Sequence, residues 1–211
     1  MIALRPPCCS GANIVRLFAL IICLLSRPLD AAPELGPDLK MITLHNGLNS
    51  LDVNSDGRAD MVVVARRENF NAHGFQTSTI YIWAAASKDG NLALQIVPLQ
   101  PASSTKNDEV LILRSGGGAD ALIADFRLFV DPVHHNAVVV TAKRRFGESF
   151  ADSQPVDFEF FKLTRNEQET PGLPVLFFKS YKKSTSKASH QDVNEAFRLE
   201  LGIASDGRQS E

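Results

Sequence analysis

The stretch Asp52-Val53-Asn54-Ser55-Asp56-Gly57-Arg58-Ala59-Asp60 reads D-x-N-x-D-G-x-x-D. It puts side-chain oxygens at its first, third, fifth and ninth positions, with the Arg58 backbone carbonyl at the seventh. Gly57, at the sixth, permits a sharp turn. A calcium ion takes about six to eight hard oxygen ligands, and this spacing wraps such groups around one point. An EF-hand would carry a bidentate Glu at position 12, where this chain has Val63 inside an apolar run. The pattern therefore predicts a loop that feeds a β-strand, with Asp52, Asn54, Asp56, Arg58 and Asp60 as candidate Ca2+ ligands. Asp and Asn also build turns by accepting backbone N–H groups, so an unmetallated turn stays open as the alternative.

Other chemistry is harder to find. Ser103–Lys106 and Ser184–Lys187 have S-x-x-K spacing, yet neither an S-D-N nor a K-T-G element accompanies them, and both read as polar loops. There is no G-x-S-x-G elbow. The five histidines, His45, His73, His134, His135 and His190, form no H-x-H-x-D or H-E-x-x-H pattern. Adjacent side chains at His134-His135 point apart, which argues against a shared metal there. Gly116-Gly117-Gly118 lacks the Lys-Ser/Thr of a phosphate loop and reads as a link between strands. The chain is expected not to be an enzyme.

After the acidic loop and the strand-like Asp60-Met61-Val62-Val63-Val64 comes Arg66-Arg67-Glu68-Asn69-Phe70-Asn71-Ala72-His73-Gly74-Phe75, where polar groups alternate with aromatics. From Leu48 to Tyr81 the joined string resembles the CarG-like carbapenem self-resistance proteins. The resemblance implies a small periplasmic β protein that gives tolerance to carbapenems by binding the drug or shielding its cell-wall target protein, without destroying it. In that light Arg66, Arg67, Asn69, Asn71 and His73 are the candidate ligand-binding residues. An arginine fork fits a carboxylate such as a carbapenem carries. Asn and His donate or accept around a lactam carbonyl, and Phe70 and Phe75 offer an apolar wall. A purely structural reading stays open beside it: Phe70 and Phe75 in the core, Asn69 and Asn71 capping turns, His73 meeting a buried carbonyl. The acidic loop by itself resembles the calcium loops of FG-GAP modules. This supplies the rival function, a calcium-stabilised extracytoplasmic β module that binds a protein or a glycan.

Positioning such groups falls to strands. Runs rich in Val, Ile, Phe, Thr and Tyr occur at Lys40–His45, Asp60–Arg66, Ser78–Ala86, Leu92–Val97, Glu109–Arg114, Ala121–Val130, Ala137–Arg145, Val156–Leu163 and Pro174–Lys182. Lys88-Asp89-Gly90-Asn91 reads as a hairpin turn. Lys182–Lys187 reads as a solvated basic loop. A capping box at Ser189–Asp192 opens a single helix, Val193–Leu201, which Gly202 ends. The expected fold is mainly β, an antiparallel sandwich or barrel-like sheet with one C-terminal helix.

The start of the chain is expected to be a signal peptide over residues 1–32. Arg5 and Arg16 precede an apolar run, Leu17–Leu25, and small residues end at Ala31-Ala32. The run is far short of the roughly 20 residues of a membrane span. Cys23 suggests lipidation, but it lies within the apolar run after the bulky Ile22. Residues 33–211 then form a single β-rich domain in the periplasm, with no stable membrane span and a homodimer among the admissible assemblies. Cleavage would remove Cys8, Cys9 and Cys23, all the cysteines of the 211-residue chain, so the mature fold is held without disulfides. It would also remove Arg5, Arg16, Arg27 and Asp30, leaving 19 basic and 23 acidic residues in place of 22 and 24. This acidic balance argues against a nucleic-acid partner.

Overall fold

The computed structural model describes residues 35, 38–67, 75–84, 93–102, 109–118, 121–131, 133–134 and 136–205, with residues 75, 76 and 82–84 described by backbone alone. The expected signal peptide and the Lys88–Asn91 turn lie outside them. Leu35–Glu211 forms one compact unit. Its strands in chain order are β1 (Lys40–Ile42), β2 (Gly47–Leu51), β3 (Asp60–Arg67), β4 (Phe75–Ala84), β5 (Ala93–Ile96), β6 (Leu99–Gln100), β7 (Leu113–Gly117), β8 (Leu122–Asp131), β9 (Asn136–Arg144), β10 (Gln154–Arg165) and β11 (Leu176–His190), and the helix α1 is Val193–Leu201. They make one sheet in the order β2-β3-β4-β7-β8-β9-β10-β11-β6, with β1 added to β8 and β5 to β4. All pairings are antiparallel except β11 with β6. The sheet is not closed into a barrel. No helix among the described residues is long and apolar enough to cross a membrane.

Two cores explain the residue pattern. In the first, Val62 and Val64 of β3 and Ile80 of β4 meet Phe126, Leu128 and Val130 of β8, Val139 of β9 and Phe178 of β11. In the second, Val193, Ala196 and Phe197 of α1 cover Phe129, Val138, Val140, Phe158 and Phe160. β8 and β9 are thus buried on both faces, which is why Ala137-Val138-Val139-Val140 is an unbroken apolar run. β10 keeps the alternation its sequence predicts, with Phe158 and Phe160 in the helix-side core and Phe161 in the other.

The helix is tied to β8 by a buried charge. Arg127 is fully buried. Its guanidinium pairs with Asp125 and Asn194, donates to Phe126 O at 2.8 Å and to Ala204 O at 3.3 Å, and lies 4.6 Å from the Phe197 ring centre. Ser115 of β7 donates to the same Asp125.

Several sequence expectations need correction. Lys182–Lys187 is not a loop. It lies within β11, where Lys182, Lys183, Ser184 and Thr185 pair in register with β10 and Thr185 donates to Asp157 Oδ1 at 2.7 Å. That pairing also draws Ser189 and His190 into the strand, so the helix cap is Asp192 alone, which accepts from Asn194 N at 2.7 Å. Gly202 ends the helix as expected, with φ 67°. The run at Glu109–Arg114 is strand only from Leu113, and the strand extends into Gly116-Gly117. A Cβ on Gly117 would fall 2.0 Å from Ala121 O, so the chain reverses there only with glycine. β2 and β6 have no counterpart among the expected strands.

β11 carries an irregularity opposite Val156, where Ser186 Oγ accepts Val156 N and the pairing shifts. Glu200 of α1 closes it, accepting Lys187 N and Ala188 N at 3.1 Å each and facing His190 Nε2 at 3.0 Å. Burial pushes the Glu200 carboxyl up. The hydrogen bonds from His190, Lys187 and Ala188 outweigh this and hold it below its ordinary 4.5. A lowered carboxylate stabilises the fold above that ordinary value, and the contribution fades as the pH falls below it. Glu200→Gln should cost about 1–3 kcal/mol at neutral pH and flatten the loss of stability below pH 4.5, read by urea unfolding across pH. Arg127→Met, which strands Asp125 in the interior, should cost about 3–5 kcal/mol in the same assay.

Candidate functional site

The acidic loop leads from β2 into β3 as its spacing predicts. Asp52 accepts Asp56 N at 3.0 Å through Oδ1 and Gly57 N at 2.9 Å through Oδ2. Asn54 Oδ1 also accepts Asp56 N, and its Nδ2 donates to Asp56 Oδ2, both at 3.1 Å. Asp56 Oδ1 accepts Arg58 N at 2.9 Å. The turn uses two left-handed residues, Ser55 at φ 55° and Gly57 at φ 83°. At Gly57 the missing side chain is what makes this conformation cheap.

Asp60 does a different job. It is 1% exposed, and its Oδ2 accepts Val53 N at 2.9 Å and Asn54 N at 3.4 Å. That carboxylate nails the start of the loop to the start of β3, with Val53 buried in the core beside it. The oxygens of Asp52, Asn54 and Asp56 thus lie on one exposed turn, while Asp60 is directed at the loop's base. Arg58 is exposed, and its N–H serves the turn.

Arg66 and Arg67 sit at the far end of β3, exposed, paired with Gln76 and Phe75 of β4. Strand alternation puts their side chains on opposite faces. Arg66 continues the row of Asp60, Val62 and Val64, whereas Arg67 follows Met61 and Val63. Arg66 is already engaged within the protein. The two guanidiniums thus start from opposite faces of the strand end. Asn69, Asn71 and His73 lie outside the described residues, as do Phe70 and the side chain of Phe75.

The S-x-x-K match at Ser184–Lys187 falls in β11, not in a helix. At about 3.3 Å per residue a strand spreads such a pair by about 10 Å, where a helical turn would stack it. Among the described residues, three potential metal ligands converge elsewhere, at Asp38, Asp131 and His134. Sequence reasoning passed over this group, because its members come from two distant segments and the only local signal was the Asp131–His134 turn.

The family model described as "Carbapenem resistance protein CarG-like" matches residues 44–199, from before β2 to near the end of α1, and takes in the acidic loop and both arginines. The solved structure titled "Crystal structure of CarG" is similar, with 27% sequence identity and a TM-score of 0.60 over 79% of this chain and 99% of that one. No curated protein matches.

Proposed function

The chain belongs to the CarG-like family of carbapenem resistance proteins, and from that membership we propose that it gives tolerance to carbapenems from the periplasm without hydrolysing them, by binding the drug or shielding its cell-wall target. The observation that carries this reading is the family match across residues 44–199, supported by the likeness to CarG over 79% of the chain. Of the two S-x-x-K matches, Ser184–Lys187 lies in a strand and lacks the helical geometry of a penicillin-recognising nucleophile, and Ser103–Lys106 lies outside the described residues. The drug-facing groups in this reading are Arg66 and Arg67, both exposed at the end of β3, with Asn69, Asn71 and His73.

Expression of the protein in a carbapenem-sensitive host should raise the inhibitory concentration severalfold while the drug in the medium stays intact by chromatography. Unchanged sensitivity removes the proposal, and loss of drug moves it to an enzyme. Arg67→Ala should abolish most of the protection at unchanged thermal stability.

The rival function, a calcium-stabilised module that binds a protein or a glycan, is favoured by the oxygens of Asp52, Asn54 and Asp56 gathered on one exposed turn. Melts in calcium and in chelator test it. Calcium should raise the midpoint by several degrees, and Asp52→Asn should erase the difference. Equal midpoints in both buffers exclude calcium from the loop.

A further inference from the structure

Asp38 lies two residues ahead of β1. In the antiparallel pairing of β1 with β8, Lys40 is opposite Val130. Carried two residues further, that register brings Asp38 alongside the turn that opens at Asp131. There His134 Nδ1 stands 2.8 Å from Asp131 Oδ2 and 3.6 Å from Asp38 Oδ2. One ligand atom from each residue lies within 4.8 Å of the other two.

The two oxygens of Asp131 are divided between tasks. Oδ1 accepts Val133 N at 2.9 Å and His134 N at 3.0 Å, which fixes the turn. Oδ2 is hydrogen-bonded to the imidazole Nδ1, a bond that an ion between the two atoms would replace as the Nδ1 proton leaves. The Asp131 side chain is 9% exposed, against 64% for His134 and 45% for Asp38. One ligand is thus anchored in the protein and two stand at the water.

We infer that Asp38, Asp131 and His134 form a divalent metal site, with zinc the ion that suits one imidazole nitrogen and two carboxylate oxygens. Bonds of about 2.0–2.1 Å in a tetrahedral zinc site set neighbouring ligand atoms about 3.4 Å apart; the 3.6 Å between His134 Nδ1 and Asp38 Oδ2 is near that spacing, and the 2.8 Å hydrogen bond to Asp131 Oδ2 has only to open slightly to reach it. Calcium is disfavoured because it takes about six to eight ligands, all oxygen. Imidazole suits zinc and its neighbours in the transition series. Three protein ligands leave the fourth position to water. Asp38 precedes the segment matched by the family model, so the complete ligand set does not follow from family membership.

Zinc titration of the purified full-length chain by calorimetry, at slightly alkaline pH, tests the site. The expected result is one ion per chain with micromolar or tighter affinity. Asp38→Asn and His134→Ala should each weaken it about tenfold or more, while Asp52→Asn, in the acidic loop, should leave it unchanged. Cobalt should give a visible absorption band that the first two variants lose. Asp38→Asn leaves the Asp131 turn intact, and circular dichroism should be that of the parent. Absence of binding heat in the micromolar range overturns the inference. So does zinc binding that Asp38→Asn and His134→Ala both leave unaltered.

Discussion

A guanidinium with no water around it constrains the architecture more than any single apolar contact. Arg127 projects from the middle of a strand whose two faces are both covered, so every polar group it needs must come from protein. Asp125 supplies the countercharge from the same strand, Asn194 and Phe197 come from the helix, and Ala204 O from the segment after it. The interior attraction offsets the loss of hydration only if that set is complete. The helix therefore has one seat on β8 that satisfies the charge, and sliding it by a turn would strand Asp125 or Arg127. Apolar packing of Val193, Ala196 and Phe197 supplies area, and the charge supplies register.

Asp60 repeats the logic on a smaller scale. A buried carboxylate at the first residue of β3 holds two N–H groups of the loop that precedes it. The exposed turn from Asp52 to Arg58 is thereby fixed to a strand whose other end carries Arg66 and Arg67. Loop and arginines share one strand of eight residues, whose alternation sets the two exposed arginines on opposite faces. The ligand-facing role proposed for the arginines depends on that strand end.

Much of the fold was legible because two-sided burial leaves apolar runs, as at Ala137–Val140, and one-sided burial leaves alternation, as in β10. The acidic loop was legible because its residues are contiguous and its glycine sits where the backbone needs a positive φ. Where the reading failed, long-range pairing overrode local character. Lys182–Lys187 is polar enough for a loop, yet its backbone bonds to β10 while its lysines stay exposed. Gly47–Leu51 is weak in strand formers and is a strand because β3 lies beside it. The Asp38, Asp131 and His134 group was invisible for a related reason, since only the β1–β8 register brings residues so far apart in the chain together.

The margin of the sheet along β11 has a consequence for association. Among the described residues β11 meets β6 only at Phe178 and Lys179, so most of its fifteen residues form a border. A bare border of that length would template the addition of a foreign strand. Here Glu200 occupies the Lys187 and Ala188 N–H groups, the kink opposite Val156 breaks the repeat, and Lys182, Lys183 and Lys187 stand exposed along the rim. An extended segment from another molecule would find two of its would-be donors taken and its path charged. The same carboxylate that seats the helix thus guards the protein against polymerising through its longest strand.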